Sequence, residues 1–357
     1  MYRLLLLVLV LGLTVSPIEW PGVLPIGRAS VSAIERTLVV ASIPYWDQDR
    51  AFQSFRDHAA AVDLVSLFWY TLDRRGRLQP YRHAEIDRHI IDFAHRRQVK
   101  VLALIANLPD ETGRSWDWRR VDRVIATKSQ RSRFIGQVVK LVQEHGYDGI
   151  NLDFEELRES QRPAFSALVR ELASALHRKK KLLRVAVEAL VDSSHTHGKD
   201  WRVIAQHADQ MAVMAFNEHW DDSQPGPIAS VPWVRRVLSY ARLLRLPMQK
   251  IHLGIPLYGY DWPQQASGRY GSAEGLEYDQ VLARQRQHSV VKRFDARSAA
   301  PSFAFEQNGQ RHTVRYENHR SLRHKLNLAK EFGVGGVSLW RLGGEDPGIW
   351  TSLLKLR

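Results

Sequence analysis

Strand-length apolar runs alternate with amphipathic stretches along most of this chain. The runs cover residues 37–45, 62–70, 99–106, 148–155, 182–190, 209–216, 250–256 and 335–341, and each is dense in Val, Ile, Leu or aromatic residues. Such runs predict strands. Between them lie stretches with apolar positions at helical spacing: 50–61, 83–97, 129–145, 161–180, 201–207 and 232–244. In 83–97 the spaced positions are Ile86, Ile90 and Phe93, and Gly146 is placed to cap the helix over 129–145. Residues 107–118 read as a polar, Trp-containing loop. Strands alternating with helices predict an α/β fold, here a (β/α)8 TIM barrel. Residues 263–317 break the rhythm with short β-like runs around Asn308-Gly309, a hairpin signal. They predict a small α+β insertion between strand seven and the last helix before strand eight.

The fourth run has a polar identity on one face. Ile150, Leu152 and Phe154 alternate with Asn151, Asp153 and Glu155, and alternate strand residues face the same way. Burying unpaired charge is costly, so the plainer reading is a salt-bridged structural strand. The sharper one is an acid/base site at the end of a barrel strand. Polar and aromatic residues also follow the other strand ends: Tyr45-Trp46, Tyr70, Asn107, Glu188, Asn217, Tyr258 and Trp340. Barrel active sites form at that rim. Glu155 is nearest the strand end, with Asp153 one same-face step, about 7 Å, behind it. A neighbouring like charge raises the pKa of one carboxyl and equips a Glu as a general acid.

Two carboxylates on one strand do not readily flank a glycosidic bond from opposite sides, as the usual two-carboxylate mechanisms require. The geometry suits a substrate that carries its own nucleophile, such as the carbonyl oxygen of a 2-acetamido sugar. Glu155 then protonates the leaving oxygen, Asp153 orients the acetamido N–H and stabilises an oxazolinium ion, and Trp340 offers an apolar floor. Glu188 projects from its strand end either toward substrate or into a structural ion pair. Trp116 and Trp118 form a sugar platform or pin their loop.

Composition narrows the setting. Within 357 residues, a hydrophobic fraction of 44% and 11 Trp support a large core and exclude disorder. The absence of cysteine excludes disulfides and thiolate metal sites. His195-Thr196-His197 lacks a third ligand at a convincing spacing and reads as a loop pair, so neither metal nor cofactor is expected. The formal charge of +13 favours an anionic wall polymer or a membrane surface as a partner. Nucleic acid is the weakest of the polyanions, because no recognition motif accompanies the scattered arginines. Arg3, the apolar run 4–15, Pro17 and the small residues Val31-Ser32-Ala33 follow the order of a secretory signal. Residues 1–33 therefore read as a signal peptide or an N-terminal membrane anchor, and 34–357 as the barrel of a secreted or envelope-associated monomer.

The segment 148–155 (DGINLDFE) resembles the signature of family 18 glycoside hydrolases, the chitinases and their relatives. That family commonly has Asp where this chain has Asn151, but Asn is typical of its peptidoglycan- and spore-cortex-lytic N-acetylglucosaminidase branch. Segments 214–220 (MAFNEHW), 254–262 (GIPLYGYDW) and 336–343 (GVSLWRLG) resemble that branch too, and the match runs from about residue 39 to the C-terminus. The resemblance implies a barrel with substrate-assisted, retaining catalysis, Glu155 as acid/base and Asp153 as its partner. Asn151, Phe216, Asn217, Trp340, Tyr45, Glu188 and Tyr258 would bind a polysaccharide containing N-acetylglucosamine. The family usually shows Met-x-Tyr-Asp where this chain has Phe216 and Asn217. There the Tyr hydroxyl would hold the acetamido oxygen, a bond Phe216 does not make, while Asn217 keeps hydrogen bonding without charge. These two departures open a second reading, a non-catalytic wall- or chitin-binding barrel.

Overall fold

The computed structural model describes residues 36–110, 115–194 and 198–356. Within them, eight parallel strands close into a barrel: Leu38–Pro44, Leu64–Leu72, Lys100–Ala106, Gly149–Asp153, Leu182–Glu188, Gln210–Met214, Ile251–Pro256 and Gly336–Trp340. The eighth returns to the first, with Leu38 opposite Gly336. The expected (β/α)8 barrel is therefore the fold. The sequence segments read as a signal or anchor (1–33) and as a histidine pair (195–197) lie outside the described residues. Among the described residues no helix is long and apolar enough to cross a membrane.

The helices that cover the barrel form where caps permit. Helix Lys128–His145 begins with a capping box at Thr127 and Gln130 and ends at Gly146, which adopts the left-handed conformation at φ 75°. The helix expected over 83–97 starts only at Arg88, because the Asp87 side chain accepts from His89 N–H and sets the first turn there. At the end of the stretch read as loop, Asp117 caps an unanticipated helix, Trp118–Ile125, in the same manner. The second strand runs on to Leu72 because a short antiparallel strand, Leu78–Pro80, pairs with its end.

The insertion is larger than its sequence suggests. It is a five-stranded antiparallel sheet with one helix, Tyr278–Gln287. Its first strand, Gly259–Pro263, begins ahead of the expected boundary at 263, because it pairs along Gln310–Tyr316. Asn308 and Gly309 form the hairpin turn, both left-handed, at φ 53° and 74°. The sheet has its own small core of Leu276, Val281, Phe303, Phe305, Val314 and Tyr316.

The fourth strand is buried on both faces for different reasons. On the outer side, Phe154 packs against Phe134 at 6.0 Å and Phe165 at 6.4 Å, which seats the strand against helices Lys128–His145 and Arg162–His177. On the inner side, Asn151 donates to Ser66 Oγ of the second strand at 3.1 Å. A Cβ on Gly149 would lie 2.1 Å from the Leu182 carbonyl, so only glycine admits this approach of the fifth strand.

Candidate active site

At the C-terminal rim a cavity of about 820 Å³ opens between the strand ends and the insertion. Asp153 and Glu155 line one wall, and Trp46, Trp116, Trp233 and Trp340 supply aromatic surface. The chain leaves the fourth strand after Asp153, and buried Asn107 from the third strand end grips the backbone just beyond it. Its Oδ1 accepts from Glu155 N–H at 2.8 Å and its Nδ2 donates to the Glu155 carbonyl at 3.0 Å. Glu156 then adopts a left-handed conformation at φ 55°. For a non-glycine residue this costs on the order of 1–2 kcal/mol. The backbone of Glu155 is thus pinned from both sides while its side chain stays at the cavity.

Burial dominates the electrostatics. Asp153 is pushed up to about 6, first by burial and then by Glu188, while Lys199 and Arg184 pull the other way. Burial, and next the charge of Asp153, hold Glu155 well above the usual glutamate range. These are the conditions under which a carboxyl keeps its proton and serves as a general acid. Asp153 Oδ1 is buried and accepts no hydrogen bond from the described residues. Such an acceptor suits a ligand N–H.

Below the carboxylates the barrel interior holds a polar layer. Arg184, 1% exposed, donates to Gln210 Oε1 at 2.9 Å, meets His252 Nδ1 at 3.0 Å and bonds Ser338 Oγ. Burial lowers its pKa to about 9, so it remains a cation at neutral pH, and burial with that neighbouring charge keeps His252 neutral.

The aromatic residues divide. Trp340 lines the cavity, with Trp46 edge-on at 6.3 Å and Phe68 at 5.9 Å. Tyr45 is not among the lining residues: it stacks on Tyr81 at 4.5 Å and carries Trp46 edge-on at 5.1 Å, so its neighbour takes the exposed place. Trp116 lines the cavity, whereas Trp118 lies beneath the Arg158 guanidinium at 3.4 Å. Asn151 lines the floor beside the acid pair. Phe216 also lines it, and a Cβ on Gly254 would come within 3.1 Å of that ring. Asn217, left-handed at φ 64°, accepts from the Tyr258 hydroxyl at 2.8 Å. Glu188 forms the ion pair of its two alternatives, with Lys199 at 3.0 Å, and lines the cavity wall. Lys199, Arg184 and Trp233 carried no signal of their own in the sequence. At the far edge Arg341 bridges Asp47 and Glu277, each at 2.6 Å, and Arg50 also holds Glu277, tying the insertion to the barrel.

The raised pKa of Asp153 has a stability consequence. A carboxyl that titrates higher when folded stabilises the fold below its unfolded pKa and loses that contribution as pH rises through its folded value. The window runs from 3.8 to about 6. Asp153→Asn removes this dependence, so above pH 6 the variant is expected to be more stable than the parent by up to about 3 kcal/mol. Urea denaturation at pH 4 and pH 7 checks this; an equal difference at both pH values would contradict it.

Comparison with known proteins gives a consistent set. The family model described as "Glycosyl hydrolases family 18" matches residues 46–345. An uncharacterized glycosylase of Bacillus subtilis (strain 168), YvbX, is 29% identical over 272 residues, covering 74% of this chain and 77% of that protein. The cortical fragment-lytic enzyme of Bacillus cereus is 31% identical over 231 residues, or 63% of this chain and 53% of that enzyme. The crystal structure of a chitinase from Chromobacterium violaceum ATCC 12472 superposes with a TM-score of 0.80 at 30% identity, covering 90% of this chain and 98% of that one.

Proposed function

This chain belongs to family 18 of the glycosyl hydrolases and is a glycosidase, and from that premise we propose its substrate and mechanism. It cleaves β-1,4 bonds next to N-acetylglucosamine in peptidoglycan or a chitin-like polymer, at the cell envelope or outside the cell. The carrying observation is the one-sided placement of Asp153 and Glu155 at a single strand end. The other carboxylates of the cavity are engaged, Glu188 by Lys199 and Glu277 by Arg50 and Arg341. Among the described residues that line the cavity, no free carboxylate is left to act as a nucleophile from the opposite side.

In the first step Glu155 gives its proton to the glycosidic oxygen as the C1–O bond breaks. The substrate's acetamido oxygen bonds C1 and forms the oxazolinium ion, whose N–H and positive charge Asp153 stabilises. Glu155, now ionised, takes a proton from water as the water oxygen attacks C1, and the ring opens with retention. Trp340 supports the sugar from below. NMR of the first-formed anomer tests this: a product of inverted configuration rules the mechanism out.

The hydroxyl missing at Phe216 has a counterpart in Tyr258, which lines the same cavity. With Asn217 as its present acceptor, its hydroxyl is the donor available to the acetamido oxygen. Tyr258→Phe is expected to lower kcat/KM about 10- to 100-fold, as the loss of one preorganised donor does. Steady-state kinetics on N-acetylglucosamine oligomers decide it, and an unchanged kcat/KM removes Tyr258 from the mechanism.

The relatives named as cortical fragment-lytic enzymes support peptidoglycan as the polymer. The charge of +13 supports attraction to anionic wall polymers, which added salt weakens. Mass spectrometry of products from defined muropeptides and chitin oligomers distinguishes the two polymers.

A further inference from the structure

Lys199 takes no part in the mechanism above, yet its side chain is wholly enclosed beside the acid pair. Its ammonium lies 3.0 Å from Glu188 Oε1 and donates to the Ala186 carbonyl at 3.0 Å. Ala186 and Glu188 stand on the fifth strand, hydrogen-bonded to the fourth, and line the same wall as Asp153 and Glu155. Taking an ammonium out of water costs several kcal/mol unless neighbouring charge compensates. Lys199 acts on Asp153 and Glu155 as well as on Glu188.

The charges in this part of the barrel can be added. The carboxylates are Asp153, Glu155 and Glu188; the cations are Lys199 and Arg184. With all of them ionised, the group carries one net negative charge. One proton on one carboxylate makes it neutral, the arrangement a low-dielectric interior favours. The remaining groups facing it do not alter the sum inside. Tyr81 and Tyr258 stay protonated through burial, His252 stays neutral, Glu156 points to solvent, and at the far edge of the cavity Asp47 and Glu277 are matched by Arg341 and Arg50.

We propose that the Lys199–Glu188 pair sets the charge of the cleft, so that one proton is held, on Glu155, while Asp153 stays ionised. Lys199 is a positioning residue: it touches neither the substrate nor the reacting atoms. The kinetic consequence rests on the glycosidase mechanism above; the proton count does not.

The test is a carbon-13 NMR titration of labelled Asp and Glu carboxyls in the whole protein, run beside the pH profile of kcat. Glu188→Gln removes one negative charge at nearly constant shape. Glu155 is then expected to release its proton at lower pH, and the alkaline limb of the profile to move down in pH with it. Lys199→Met removes one positive charge. A second buried carboxyl, Asp153, is expected to hold a proton near neutral pH, and the acid limb to move up. The double variant restores the sum, and one buried proton is expected again. Carboxyl titrations identical to the parent in both single variants overturn the proposal, even if hydrolysis is intact. If instead the titrations move as stated while the parent releases no sugar from any N-acetylglucosamine polymer, the mechanism fails and the charge-setting pair stands. Should Lys199→Met not fold, Glu188→Gln and the double variant carry the same decision.

Discussion

Glu155→Gln is expected to lower kcat for hydrolysis of an N-acetylglucosamine polymer about a thousandfold, with little change in KM. An amide keeps the shape of the carboxylic acid but has no proton of useful acidity, and a positioned general acid contributes roughly 10²–10⁴ in rate. The fold should survive, because Asn107 holds Glu155 through backbone atoms that the substitution leaves in place. Burial and Asp153 together keep the Glu155 side chain protonated. Parent activity should therefore fall on the alkaline side as that proton is lost, and the residual rate of the variant should lack this limb. Reducing-end release across pH, with circular dichroism as the control for folding, provides the measurement. Undiminished turnover would move the acid elsewhere.

Asp153→Asn should reduce kcat by about 100-fold, the scale on which a preorganised electrostatic partner of the transition state contributes. The neutral amide no longer balances the positive oxazolinium, and it also removes the second-largest influence that keeps Glu155 protonated. The same substitution is expected to stabilise the fold above pH 6, where the parent keeps a charge in a buried place. Gain of stability with loss of rate is the sign of a site held against its own folding preference. A variant as active as the parent, or one less stable at pH 7, would contradict the role assigned to Asp153.

Much of the fold and of the acid pair is legible in the chain itself. The period-two alternation through Asn151, Asp153 and Glu155 places the three side chains on one face whatever the rest of the chain does, since the geometry of a strand is local. Gly146 announces the end of the helix before it for the same reason, while the Thr127 cap that starts it shows only in the structure. The helix Trp118–Ile125 escapes a sequence reading because its one clear cue, the Asp117 cap, sits in a segment whose polar, Trp-rich composition reads as loop. The insertion boundary slips because Gly259–Pro263 becomes a strand only through its pairing with Gln310–Tyr316, a partner about fifty residues away.

The sequence by itself determined the barrel, the placement of two carboxylates on one strand face and the absence of a hydroxyl at Phe216, because each rests on residue identity and short-range periodicity. Only the tertiary structure decided the surroundings that give those residues their properties. It turned Tyr45 inward as a support and put Trp46 at the cavity. It brought the Tyr258 hydroxyl to Asn217 across the rim. It also buried Lys199 and Arg184 beside Asp153 and Glu155. Burial and charge act through space at low dielectric, between residues far apart along the chain. For that reason a carboxylate pair can be located from a single strand, while its state of protonation belongs to the whole barrel.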